Sequence, residues 1–270
     1  MSPCGGVSGG QYGGGFGADS GFAGSGLSGV YAEMAWRTFL KVLASDFFKF
    51  PVDELPLNQL GTMRGWLKDR FGELPWDGVY DLAEFLLLNI SQISSGASKQ
   101  QEALVKNLNL ILEREMSAYR SIGGILTSIC DGVEVEEIEK ALAENSWNGV
   151  RSHIQAAVEM LGKRPVGDFR NSIKESISAV ESACKVISGE ENADLNRTLR
   201  KLEEKIKLHG ALKQAIEKLY AWTSDEKGIR HALLDEPDVG ESEARFMVVA
   251  CSSIVNFLRV KAEQAETAIV

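Results

Sequence analysis

The chain has 270 residues, 44% of them hydrophobic and 25% charged, and its 29 basic and 38 acidic side chains leave a net charge of −9. The 3 His and 4 Cys, with no Cys-x-x-Cys pair, exclude a disulfide scaffold and a multi-ligand zinc module. The acidic balance excludes coating of nucleic acid through bulk positive charge.

Residues 1–30 hold 12 of the 27 glycines, and with so few large apolar side chains they cannot offset the entropy of ordering. They read as a disordered Gly/Ser-rich tail. A phosphate-cradling glycine loop would need a preceding strand, and none is present. No basic segment leads into an apolar stretch, so a secretory signal is not expected.

From residue 32 onward the apolar period is helical. Val79, Leu82 and Leu86 fall on one face, as do Leu104, Leu108, Ile111 and Leu112. Pro51, Pro56 and Pro75 punctuate the early part, and "PVDELPLNQLG" reads as a loop or a broken turn. Further stripes run through Val135, Ile138 and Leu142, then Val150, Ile154, Val158 and Leu161. No stretch alternates as a strand would, and no Asn-Gly or Asp-Gly turn joins β-rich runs. The predicted class is all-α. At "KRPVGDFR", Pro165 and Gly167 end one helix and Asp168 can cap the next. That next helix carries Ile173, Ile177, Val180, Cys184 and Ile187 on one face and ends at Gly189. Helices are then expected over about 194–207 and 211–222.

The last helix, with Glu241 and Glu243 in its first turn, is apolar on nearly every side at "FMVVACSSIVNFL", as expected of a central helix of a bundle. That run is too short to span a bilayer. The expected organisation is an N-terminal helical unit at 31–163, a four-helix bundle at 164–263 and a short tail at 264–270. The scattered cysteines suit reduced thiols in a cytoplasmic protein, and no membrane contact is expected.

Any catalytic histidine has to be His153, His209 or His231. His153 lies one residue before an apolar stripe position and reads as a helix-surface or a buried hydrogen-bonded residue. His209 lies at a turn between helices, where it can meet a helix C-terminus. His231 stands beside Arg230 in "SDEKGIRHALLDEPD", a polar stretch between apolar helices. An imidazole as general base and a guanidinium on a phosphate suit metal-free RNA cleavage. Alternatively, His231 caps carbonyls or pairs with Asp235 or Glu236. Arg170, at a helix start where a cation opposes the dipole, could meet a phosphate or an acidic residue near His231, or form a surface ion pair. Asn171 and Asp235 are supporting candidates. Asp235, Glu236 and Asp238 are too few and too unaligned to read as a metal site, so neither metal nor cofactor is expected.

"DFRNSIKESISAVESACKVISG", "LHGALKQAIEKLYAWTSDEKGIRHAL" and "EARFMVVACSSIVNFL" resemble signature segments of the bacterial abortive-infection AbiJ N-terminal-domain family of the fourth type. "LPWDGVYDLAEFLL" and "LNLILEREMSAYRSIGG" resemble its earlier segments. The resemblance covers about 70–263. It implies an all-helical anti-phage defence protein, related in architecture to HEPN domains, many of which are dimeric metal-independent ribonucleases. The ribonuclease motif in that fold is an Arg four to six residues before a His. Here positions 225–227 are Asp225, Glu226 and Lys227, and neither His153 nor His209 has an Arg at that spacing. The resemblance therefore implies a sensing or regulatory HEPN-like module, a homodimer, with a protein or RNA as partner. The alternative is a divergent endoribonuclease using His231 with Arg230 and Arg170.

Overall fold

A computed structural model describes residues 26–89, 97–143, 147–190, 195–224 and 239–267. The described residues form ten α-helices and one two-stranded hairpin, an all-α architecture. Two compact units divide between Ile111 and Leu112. The boundary expected near 164 falls inside the second. Among the described residues no helix is long and apolar enough to cross a membrane.

The first unit opens with α1 (Gly26–Val42), which begins inside the segment read as a tail. It runs directly into one π-helical turn, Leu43–Phe47, closed by the Phe48 N–H on the Leu43 carbonyl at 3.0 Å. The helix ends ahead of Pro51, where Lys49 turns left-handed (φ 52°) and the Phe50 N–H meets the Ala44 carbonyl at 2.8 Å, and one 3-10 turn (Val52–Glu54) follows, in keeping with the broken turn expected there. In α2 (Leu60–Glu73) and α3 (Trp76–Asn89) the helical period resumes. Between them Leu74 is extended, as a residue before proline must be. Phe39, Leu40, Leu43, Met63 and Leu82 are buried together, with Phe47, Phe48, Trp66 and Phe85 packed against them. The aromatic edges meet at 4.9 Å (Phe47–Phe48) and 5.5 Å (Phe48–Trp66) between ring centroids. Trp76 is 56% exposed and touches Tyr80 edge-on. The division between units falls within α4 (Ala97–Arg114). Of its expected stripe only Leu112 is buried.

The second unit opens with the hairpin, β1 (Arg120–Ile122) and β2 (Ile125–Thr127), which the sequence reading does not anticipate. The strands pair antiparallel, Ser121 opposite Leu126 and Ile122 opposite Ile125. Gly123 and Gly124 form the two-residue turn with φ of 59° and 91°, the left-handed conformation that a tight hairpin turn demands at both central positions. Asp131 then caps α5 (Gly132–Ala143), accepting from the Val133 N–H at 2.9 Å and the Glu134 N–H at 3.2 Å.

Helix α6 (Asn148–Leu161) and helix α7 (Phe169–Ser188) flank the 163–170 break. The predicted α7 is observed. Asp168 accepts from the Asn171 N–H at 3.4 Å, and Gly189 closes the helix in a left-handed conformation, φ 76°. Two further helices, α8 (Leu195–Ile206) and α9 (Gly210–Ser224), lie close to their predicted spans. The last, α10 (Glu241–Thr267), runs about a turn longer than predicted.

Helices α7 and α10 are the two that the others surround: α7 packs on α6, α8, α9 and α10, while α10 also packs on α5, α6 and α8. Their interior faces explain this. Ile173, Ile177, Val180 and Cys184 of α7 and Met247, Val248, Cys251, Val255 and Leu258 of α10 are wholly buried. Ile138, Val150, Ile154 and Val158, all before residue 164, belong to the same core. The apolar stripe of α6 is buried against α7, so the Pro165–Gly167 break reverses the chain within one core. The two helices approach closely where small residues face each other. There the Ser172 hydroxyl donates to the Ala157 carbonyl at 2.7 Å, which satisfies a buried polar group. Gly162 lets α6 end against the hairpin, since a Cβ there would stand 2.9 Å from the Leu126 carbonyl oxygen.

Candidate functional site

The residues singled out from sequence part company here. His231, Arg230 and Asp235, with Glu236 and Asp238, lie outside the described residues. Arg170 and Asn171 sit in the first turn of α7. Asn171 is engaged locally: its side-chain amide donates to Asp168 Oδ2 at 3.0 Å, beside the Lys163 ammonium at 3.3 Å. Partial burial works to raise the Asp168 carboxyl, but the hydrogen bonds from Asn171 and Lys163 outweigh it and hold it below its ordinary value. Asn171 thus completes a helix cap. Arg170 is half-buried beside it.

His153, on α6, and Glu175, on α7, meet at 2.7 Å through His153 Nδ1 and Glu175 Oε2. A carboxylate on Nδ1 fixes the orientation of the ring and leaves Nε2 for solvent or a ligand. The ring is thus partly exposed and hydrogen-bonded, combining the two placements expected of it. The partner is 22 residues away and reaches it only because α6 and α7 fold back on each other. His209 is placed otherwise than expected. Its Nδ1 accepts from the Ala211 N–H at 3.2 Å, and its carbonyl accepts from Leu212 and Lys213. It therefore caps the start of α9 rather than meeting the end of α8, because an unprotonated ring nitrogen serves free N–H groups. Burial pushes the Cys184 and Cys251 thiols up to about 12, which leaves them protonated and unreactive.

The second unit also carries an open groove of about 710 Å³ between α9 and α10. Leu219 and Trp222 line one wall and Phe246 the other, with Lys218 and Glu243 at the edge. Trp222 is 38% and Phe246 54% exposed. At this exposure Trp222 is not a core residue. Phe246 falls within the apolar run of α10, where sequence does not distinguish a buried face from an exposed one. Glu243 is already committed. Its carboxylate accepts from the Gly240 N–H at 2.9 Å, and backbone hydrogen bonds hold it below the usual carboxylate value. The groove therefore offers two aromatic faces and the Lys218 ammonium. Solvent-facing aromatic side chains beside a cation are the composition of protein-contact surfaces.

An ion pair and a pair of hydrogen bonds brace α10 against α5. Arg245 donates to Glu134 of α5 through Nε at 3.1 Å and Nη2 at 2.5 Å. Asn256 donates to the Glu137 carbonyl at 2.8 Å and its carboxylate at 3.1 Å. The Asn256 bond, followed by that from Lys140, lowers the Glu137 carboxyl pKa. These links hold α10, and with it Phe246, against α5.

Residues 25–144 match the family model described as AbiJ N-terminal domain 4, and this part of the chain belongs to that family. The match includes residues 25–60, where no resemblance is read from sequence. The segments "DFRNSIKESISAVESACKVISG", "LHGALKQAIEKLYAWTSDEKGIRHAL" and "EARFMVVACSSIVNFL", on which that resemblance rests most, lie beyond it. No curated protein and no solved structure matches the chain. The domain family places the protein in an abortive-infection context.

Proposed function

We propose that this chain, with an AbiJ N-terminal domain 4 at residues 25–144, acts in anti-phage defence as a helical sensing or regulatory module. In this reading helices α7–α10 are the HEPN-like part, the protein is a cytoplasmic homodimer, and its partner is another protein. The observation that carries the reading is the α9–α10 groove. It presents Trp222 and Phe246 to solvent, on a helix pinned from behind by Arg245 and Asn256. Large rigid aromatics on a braced scaffold give contact area at low entropic cost. The family match supports the defence context, and the net charge of −9 suits a protein partner better than bulk RNA.

A second reading is favoured by one sequence observation, the adjacent Arg230 and His231 in a charged stretch between apolar helices. It makes the chain a divergent metal-independent endoribonuclease, with His231 as general base and Arg230 and Arg170 on the phosphate. The missing Arg at the motif spacing weighs against it.

Inducible expression of wild type, His231→Ala and the double variant Trp222→Ala/Phe246→Ala separates the two. The regulatory reading expects RNA to stay intact in every strain. It also expects phage-dependent co-purification of a partner that the double variant loses. RNA fragmentation and growth arrest that His231→Ala abolishes would establish the ribonuclease. Identical partners with and without phage would sink the sensing role.

A further inference from the structure

The first unit encloses a cavity of about 400 Å³ between α1, α2 and α3. That is within the range of small-molecule pockets, roughly 300–1,000 Å³. It lies wholly within residues 36–86 and belongs to neither site discussed above. Ten of its twelve lining residues are apolar, and the other two are Arg64 and Lys68. Leu40, Leu43, Met63 and Leu82 of the lining are buried, while Trp36 and Phe71 are partly open to solvent, so the chamber is accessible from that side.

The two cations are the unexplained feature. Arg64 and Lys68 are exposed and stand one turn apart on α2, where like charges repel. Among the described residues neither has an ion-pair or hydrogen-bond partner. Other arginines of the unit do: Arg37 pairs with Glu33 and Arg70 with Glu73, both at 2.8 Å. An apolar chamber edged by two unneutralised cations matches a molecule with an apolar body and one anionic end. The chamber is too small for a partner helix, about 10–12 Å across with its side chains. A membrane surface calls for clusters of about 4–8 cations, where this site has a pair. The geometry points to a binding site for a single-chain anionic amphiphile of the long-chain carboxylate class. Its chain fills the cavity and its carboxylate lies at Arg64 and Lys68.

Calorimetric titration of the full chain with hexanoate, octanoate and decanoate, each below its micelle concentration, tests the site. Each added methylene should tighten binding about fourfold. Decanoate should bind about tenfold more tightly than decanol, which lacks the charge. The surface double variant Arg64→Gln/Lys68→Gln should lose that difference and keep decanol binding. Ala83→Phe, which fills the chamber, should lose both ligands while circular dichroism shows a helical fold. Affinity independent of chain length overturns the proposal, as does equal binding of decanoate and decanol. So does capture by phosphatidylglycerol vesicles without binding of monomeric decanoate, or decanoate binding that survives in both variants.

Discussion

Asp168 offers a direct test of how the second unit is held. Its carboxylate accepts from the Asn171 N–H at 3.4 Å, the Asn171 amide at 3.0 Å and the Lys163 ammonium at 3.3 Å. Asp168→Ala removes both the cap and the charge. Loss of an N-cap costs about 1 kcal/mol, and the charge near the helix N-terminus adds about 0.3–1 kcal/mol. The Lys163 contact adds little, because the lysine is more than half exposed. The expected loss for Asp168→Ala is about 1–2 kcal/mol. That corresponds to a fall of several degrees in melting temperature, at roughly 2–4 °C per kcal/mol for a unit of this size. Asparagine caps a helix as well as aspartate does, so Asp168→Asn should lose only the charge part. The pH dependence separates the two contributions. Folding lowers the Asp168 pKa below the ordinary 3.8. The stability it contributes is therefore complete above the unfolded value and is lost as pH falls through the lower, folded one. The gap between wild type and Asp168→Asn should narrow as pH drops from about 5 toward about 3. Urea denaturation followed by far-UV circular dichroism measures all three proteins. Equal stability of Asp168→Ala and wild type at pH 7, or a gap that does not narrow in acid, refutes the reasoning.

Ile177 is wholly buried on α7, so Ile177→Ala should cost about 2–5 kcal/mol in the same assay; a loss below 1 kcal/mol would mean that α7 is not central. Gly123 has φ 59° with Gln155 Oε1 3.0 Å from an added Cβ. Gly123→Ala should therefore cost about 1–2 kcal/mol, and an unchanged urea midpoint would contradict the turn. Cys184 and Cys251, with thiols near 12, should resist maleimide at pH 8 until urea unfolds the unit. Half-buried Cys130 should label before Cys184 and Cys251 in a peptide-mapping time course. Early labelling of Cys184 would show that its neighbourhood opens.

Helix positions were legible because their signals are local. Asp168 and Gly189 delimit α7 by their own chemistry, and Ile173, Ile177, Val180 and Cys184 mark its buried face by spacing alone. The hairpin was not legible. Its strands are three residues long, too short to show alternation, and its turn is Gly-Gly rather than Asn-Gly or Asp-Gly. Solvent exposure was legible only in part. Trp76 and Phe246 look like core residues by type, yet a side chain's burial depends on what lies opposite it.

The candidate site shows the same division. The sequence marked His153 as a hydrogen-bonded residue, but Glu175 as its partner follows from the turn at 162–168. Arg64 and Lys68 stand four apart in the sequence, which singles out neither, and the apolar chamber beside them needs α1 and α3 as walls. By itself, then, the sequence determined the all-α class, the limits of α7 and the family of the N-terminal domain, since periodicity, caps and motif segments are properties of neighbouring residues. The tertiary structure alone decided where the compact units divide, which aromatics face solvent and which cations find no counter-charge among the described residues. Those depend on contacts between segments far apart in the chain, and an apolar stripe specifies that a face is buried without specifying against what.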